Sequence, residues 1–92
     1  MIYVDSLFCS LAFGHKYWCH MTADTIEELH EFAHKIGLKV EWFQEKGKHC
    51  SHNHYDLTSG KRKMAVRYGA KELTVKEYCK VANGYLKERT ND

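Results

Sequence analysis

Seven histidines occur in this 92-residue chain, and several stand among residue types that could give an imidazole chemical work. His30-Glu31-Phe32-Ala33-His34 is a literal H-E-x-x-H. On a helix, residues four apart share a face, so two imidazoles could hold zinc while the glutamate acts on its water. The helical wheel argues against this: His30 falls at the edge of the apolar face, His34 farther round toward solvent, and Glu31 on the polar side, with Lys35 placing a charge beside the second histidine. The expectation is one rim histidine and one exposed one. His30 keeps its interest, because a side chain at the margin of a buried stripe can reach from the core into a cleft.

A second group is His49-Cys50-Ser51-His52-Asn53-His54. Imidazole and thiolate suit zinc and copper, but this spacing matches no established zinc pattern, and neighbours in a tight loop rarely converge on one ion. His54 differs from the others, since it opens His54-Tyr55-Asp56-Leu57 just before a predicted helix N-terminus, where backbone N–H groups and the helix dipole favour anions. Met64, Ala65 and Tyr68 mark the buried face of the helix that follows, and Lys61 falls on that same face. It either snorkels past the core edge or points into a cleft near His54-Tyr55-Asp56. Asp5 ends a short strand, as a turn residue or as part of a ligand crevice at a strand end. Trp18, Trp42 and Phe43 read as core aromatics, and Gln44 as a residue that reaches a site or bonds a loop.

The elements that must position these groups follow from pattern. Ile2-Tyr3-Val4 reads as a strand ending at Asp5, Ser6 to Gly14 as a loop, and Lys16 to Thr22 as a second strand. Asp24 or Thr25 opens a helix, each with a glutamate three positions on. Its apolar face is Ile26, Leu29, Phe32, Ala33 and Ile36, and Gly37 is its stop. Leu38 to Gln44 reads as a strand and Glu45 to Asn53 as a polar loop. Thr58 or Ser59 caps a second helix to about Tyr68, with Gly69 as its stop, and Lys71-Glu72-Leu73 is a short strand. Thr74 and Glu77 form a capping box for a last helix that buries Val75, Tyr78, Cys79, Ala82, Tyr85 and Leu86 and frays near Arg89. The order β-β-α-β-α-β-α predicts an α/β or α+β fold, a small mixed sheet of about four short strands packed by three helices, in a single domain over 1–92.

Composition sets the outer limits. An apolar fraction of 43% and the absence of proline describe a globular chain without a linker. A net charge of +2, from 14 basic and 12 acidic residues, is too mild to indicate nucleic-acid binding, which shows as a concentrated basic stripe. The densest cluster, Lys61-Arg62-Lys63 with Arg67, reads first as a solvated helix face. An acid at the fifth residue does not fit a signal peptide, and no apolar run approaches membrane-spanning length. The four scattered cysteines are expected as thiols in a cytoplasmic setting.

Tyr3-Val4-Asp5, Trp18-Cys19-His20-Met21, Ala23-Asp24-Thr25, Glu28-Leu29-His30 and His54-Tyr55-Asp56-Leu57 form an ordered series. It continues through Ile36-Gly37, Trp42-Phe43-Gln44, Lys61-Arg62, Ala65-Val66, Gly69-Ala70 and Glu72-Leu73-Thr74. Over nearly the whole chain this series resembles the domain of unknown function 4031 family, small proteins of bacteria and their phages. The resemblance implies no activity. It does single out Asp5, His20, His30, His54, Tyr55, Asp56 and Lys61-Arg62. It includes no second histidine at the position of His34, and it makes Gly47 to Asn53 an insertion.

Two classes of function fit. The first is metal-assisted hydrolysis of a phosphate ester or nucleotide. Asp5, His20, His30, His54 and Asp56 would hold a divalent ion such as zinc or manganese. His20, His30, His54, Tyr55 and Lys61 would act in catalysis, and Lys61, Arg62, Tyr55 and Gln44 would contact the ligand. The second is a non-catalytic phage-type module that binds a small anionic ligand or a partner protein, with homo-oligomers compatible with either class. In it the histidines and Lys61 would be donors, and Tyr55 or Trp18 a stacking surface. A purely structural histidine network is the third reading. Convergence of the named residues in space is what separates these.

Overall fold

The structure, a computed structural model, describes residues 1–6, 8–10, 16–47 and 52–83. His15, His49, Cys50, Tyr85, Leu86 and Arg89, together with the 11–14 part of the first loop, lie outside the described residues.

Strand β1 (Ile2–Val4) and strand β2 (Phe8–Ser10) both run antiparallel to the long strand β3 (Lys16–Ala23). β1 pairs with its C-terminal half (Val4 opposite Met21) and β2 with its N-terminal half (Phe8 opposite Trp18). Strand β4 (Tyr55–Thr58) lies along the other edge of β3, with Trp18 opposite Thr58 and Met21 opposite Tyr55. β1 and β2 are therefore two halves of one interrupted strand. Paired residue numbers sum to 25 through β1 and to 26 through β2, so one extra residue is accommodated between Asp5 and Phe8. This is a bulge, and bulges re-aim side chains beside sites. Strand β5 (Lys71–Glu72) pairs parallel to β1. The sheet is mixed and runs β4, β3, β1/β2, β5 across its width.

Three helices complete an α+β fold. Helix α1 (Ile26–Lys35) is capped by Thr25, whose hydroxyl accepts from the Glu28 N–H. It ends at Gly37, where φ is +84° and a Cβ would meet the Lys61 ammonium at 3.0 Å, so both backbone and space call for glycine. Helix α2 (Ser59–Arg67) is capped by Thr58, and helix α3 (Val75–Asn83) carries the Thr74–Glu77 capping box. Among the described residues, no helix is long and apolar enough to cross a membrane.

Alternation along the strands gives the sheet two unlike faces. One carries Ile2, Val4, Cys19, Met21, Tyr55 and Leu57, packed with Leu29 and Ala33 of α1 and Ala65 of α2. Each fully buried Leu or Met there contributes roughly 1.5–3 kcal/mol, so this face carries most of the fold's hydrophobic stabilisation. The other face carries Tyr3, Trp18, His20, Thr22, Asp56 and Thr58. Tyr78 of α3, only 2% exposed, covers part of it.

Several sequence expectations need correction. The first loop contains β2. Leu38 to Gln44 is not a strand: Val40–Trp42 is a 3₁₀ turn, and only Gln44 pairs, through a bridge to His54. The strand between the first two helices is β4, inside a segment read as a helix approach. Ile26, Val75 and Cys79 are exposed, as is Trp42 at 49%, and on α2 and its C-cap Met64 and Tyr68 are exposed while only Ala65 of that expected face is buried. β-branched and aromatic content favoured a strand at 38–44, but the chain turns at Val40–Trp42 and comes alongside the β4 segment only at Gln44.

Candidate functional site

Asp5 sits at the bulge, buried to 4% exposure. One carboxylate oxygen accepts from the His20 backbone N–H at 2.6 Å and the other lies 2.7 Å from His20 Nδ1. A carboxylate only accepts, so Nδ1 carries the proton and Nε2 is the nitrogen able to bind a metal. The Asp5 carbonyl, displaced from the ladder by the bulge, accepts from Arg62 Nε at 2.9 Å, and Arg62 also reaches Glu72 on β5. Arg62 thus braces the bulge.

His54 enters the same face from the residue preceding β4. Its Nδ1 lies 2.9 Å from the His52 carbonyl, which again fixes the proton on Nδ1 and leaves Nε2, 3.4 Å from Asp56 Oδ1. Asp56 stands directly opposite His20 across the β3–β4 ladder, and its other oxygen accepts from Gln44 Nε2 at 2.5 Å. One ligand atom from each of His20, His54 and Asp56 lies within 4.8 Å of the others. Two imidazoles and a carboxylate so spaced can hold a divalent transition metal. The partners behind them (Asp5, the His52 carbonyl and Gln44) are the groups that orient metal ligands.

Electrostatics support a tight network. Burial opposes the charged form of His54, yet the Asp56 carboxylate and the His52 carbonyl outweigh it and raise its pKa. Burial likewise pushes Asp56 upward, but His54 and Gln44 prevail and hold it below the ordinary carboxylate value. His52 is pushed down to about 4 by burial and by the neighbouring His54 and His20. Its ring stacks on His54 with centroids 4.5 Å apart, and its Nε2 lies 2.9 Å from the Tyr78 hydroxyl. Tyr78 is itself raised, chiefly by burial and then by Asp5.

The candidate residues divide between the two faces. Asp5, His20, His54 and Asp56 come together, with Gln44 beside them. Asp5 stands behind His20 instead of among the converging ligand atoms. His30 and Tyr55 are not brought in: Tyr55 points to the apolar face, where its hydroxyl meets His30 Nδ1 at 2.7 Å and both rings pack on Phe43. The geometry does not support the metal role expected of His30 or the catalytic role expected of Tyr55. Lys61 donates to the Ile36 carbonyl at 2.6 Å, satisfying the end of α1, and Arg62 is engaged with Asp5 and Glu72 instead of a ligand. His34 and Glu31 are exposed, so H-E-x-x-H forms no site. His52, set aside with its loop, is buried beside His20 and His54. Only the i, i+2 spacing to His54, strand-like alternation, signalled that in the sequence.

Asp56 also lines a cleft of about 480 Å³, with Trp18, Leu38, Glu41, Trp42, Gln44, Thr58 and Lys61. Fold and site together define a small α+β protein with a half-buried His/Asp centre on the open face of its sheet. The chain belongs to the protein family of unknown function DUF4031, whose pattern matches residues 2–84. No curated protein and no solved structure matches it.

Proposed function

We propose that His20, His54 and Asp56 form a divalent metal centre, with zinc or manganese as the candidate ions, serving hydrolysis of a phosphate ester. The observation that carries this is the paired orientation of the two imidazoles. Each has Nδ1 committed to an acceptor, Asp5 or the His52 carbonyl, and the Asp56 carboxylate lies within 4.8 Å of both rings' ligand atoms. Two imidazoles in the same tautomer, with a carboxylate beside both, are the arrangement that metal-binding histidines use.

Three protein ligands leave a coordination position open, as catalytic sites do and closed structural sites do not. That position has somewhere to lead, because Asp56 borders the cleft. The chemistry an ion supplies there is acidification of water and polarisation of a phosphoryl oxygen. The chain's own residues do the rest. Asp5 holds the His20 ring in place, Gln44 fixes the Asp56 carboxylate, and His52 and Tyr78 pack against the far side of His54. Lys61 lines the same cleft with its ammonium held at the Ile36 carbonyl, so it shapes the cleft wall.

Elemental analysis and calorimetric titration with Zn²⁺ and Mn²⁺ test this, followed by assays on bis(p-nitrophenyl) phosphate and p-nitrophenyl phosphate. One ion per chain is expected, with turnover lost on chelation and in His20→Ala. If the ion binds equally well to His20→Ala, or if turnover survives both treatments, the reading is wrong.

A further inference from the structure

Both tryptophans of the chain, Trp18 and Trp42, line the cleft that Asp56 borders. We infer that this cleft binds the base of a nucleoside monophosphate, placing its phosphoryl group at His20, His54 and Asp56. The inference rests on the proposed metal centre for where the phosphoryl lies, but not for binding of the base.

The geometry of the ladder supplies the spacing. Trp18 and Thr58 face each other across β3 and β4, and His20 and Asp56 form the next row on the same face. Two residues along a strand is about 7 Å, a separation of the same order as that between a nucleobase and its 5′-phosphate. A substrate whose flat ring lies at Trp18 therefore reaches the metal-binding row only through a sugar-sized spacer. A small alkyl phosphate would bridge nothing.

The lining fits a base better than an aliphatic group. Trp18 is half-buried and Trp42 is 49% exposed, so one indole forms a wall and the other stands at the mouth. An exposed indole costs solvation that stacking on a ligand would recover. The Lys39 ammonium lies 5.6 Å from the Trp42 ring centroid, which steadies that indole by a cation–π contact. Thr58 and Gln44 bring a hydroxyl and an amide to the same cleft, able to meet the heteroatom edge of a base. The volume of about 480 Å³ is of small-molecule size.

Since the chain has no other tryptophan, its fluorescence reports on this cleft directly. The test titrates metal-free protein with adenosine and cytidine 5′-monophosphates and with ribose 5-phosphate. Both nucleotides should quench the emission saturably, and ribose 5-phosphate should not. Trp42→Ala, at an exposed position that leaves the fold intact by circular dichroism, should weaken nucleotide binding about tenfold, followed by calorimetry. The inference is overturned if neither nucleotide quenches, if ribose 5-phosphate binds as tightly as they do, or if Trp42→Ala leaves nucleotide affinity unchanged. Failure of the metal centre is a separate result: nucleotide binding that persists while no ion is taken up removes the hydrolytic reading and leaves the base site standing.

Discussion

Tyr55 and Asp56 are neighbours in the chain, yet each belongs to a different histidine cluster. On the apolar face, Tyr55 meets His30 and both pack on Phe43, with one hydrogen bond and three ring contacts. On the open face, Asp56 meets His54 and stands opposite His20, amid a second carboxylate, an amide and a backbone carbonyl. The same residue type thus has two fates, and the difference lies in what surrounds the ring. A histidine among aromatics needs one partner and is satisfied. Histidines whose Nδ1 atoms are held by acceptors have the tautomer that metal binding through Nε2 requires.

The sharpest way to break this comparison is to remove one ring from each face. His54→Ala should weaken Zn²⁺ binding by more than about 100-fold, since a direct ligand matters more than the partners behind it, whereas His30→Ala should leave affinity unchanged. Equal losses in a calorimetric titration would merge the two clusters and sink the distinction.

A smaller effect is expected behind the ligands. Asp5→Asn retains an acceptor for His20 Nδ1 but removes its charge, and should cost about 10–100-fold in Zn²⁺ affinity. An unchanged dissociation constant would show that Asp5 merely closes the bulge.

pH separates the faces in metal-free protein. The unfolded-state pKa of histidine is near 6.5, and His52 is held down to about 4 in the fold, by burial first. Between those values the unfolded chain binds the extra proton, so stability is complete above about pH 6.5 and falls as pH drops toward 4. The loss is on the order of 3 kcal/mol. Denaturant midpoints from pH 7 to 4 measure it, and His52→Gln should flatten the profile. His30→Gln should leave that slope intact, and a slope abolished by it instead would put the buried neutral histidine on the wrong face.

The smallest change is Tyr55→Phe, which deletes the hydroxyl facing His30. About 1 kcal/mol of stability should go, with Zn²⁺ affinity unaltered. A change in metal binding here would mean that the two faces communicate through β4.

What the sequence by itself determined was local. Thr25, Thr58 and the Thr74–Glu77 pair mark three helix starts because a capping bond spans three residues. Gly37 and Gly69, at positive φ, mark two stops. Asp5, His20, His54 and Asp56 were legible as polar groups in need of partners, because they stand beside apolar positions in the sequence. The tertiary structure alone decided which of them meet. β4 looked like a polar approach to a helix, since its outward residues are an aspartate and a threonine and a histidine precedes it. Only pairing with β3 reveals them as one face of a strand. His52 was hidden because its burial comes from Tyr78, 26 residues away. His30 meets Tyr55 and Phe43 instead of His20 and His54, because a helix rim does not say which face of the sheet it overlooks. Strand pairing sets which side chains share a face, and a shift of one residue sends each to the other side. That register depends on contacts distant in the chain, beyond the reach of local spacing.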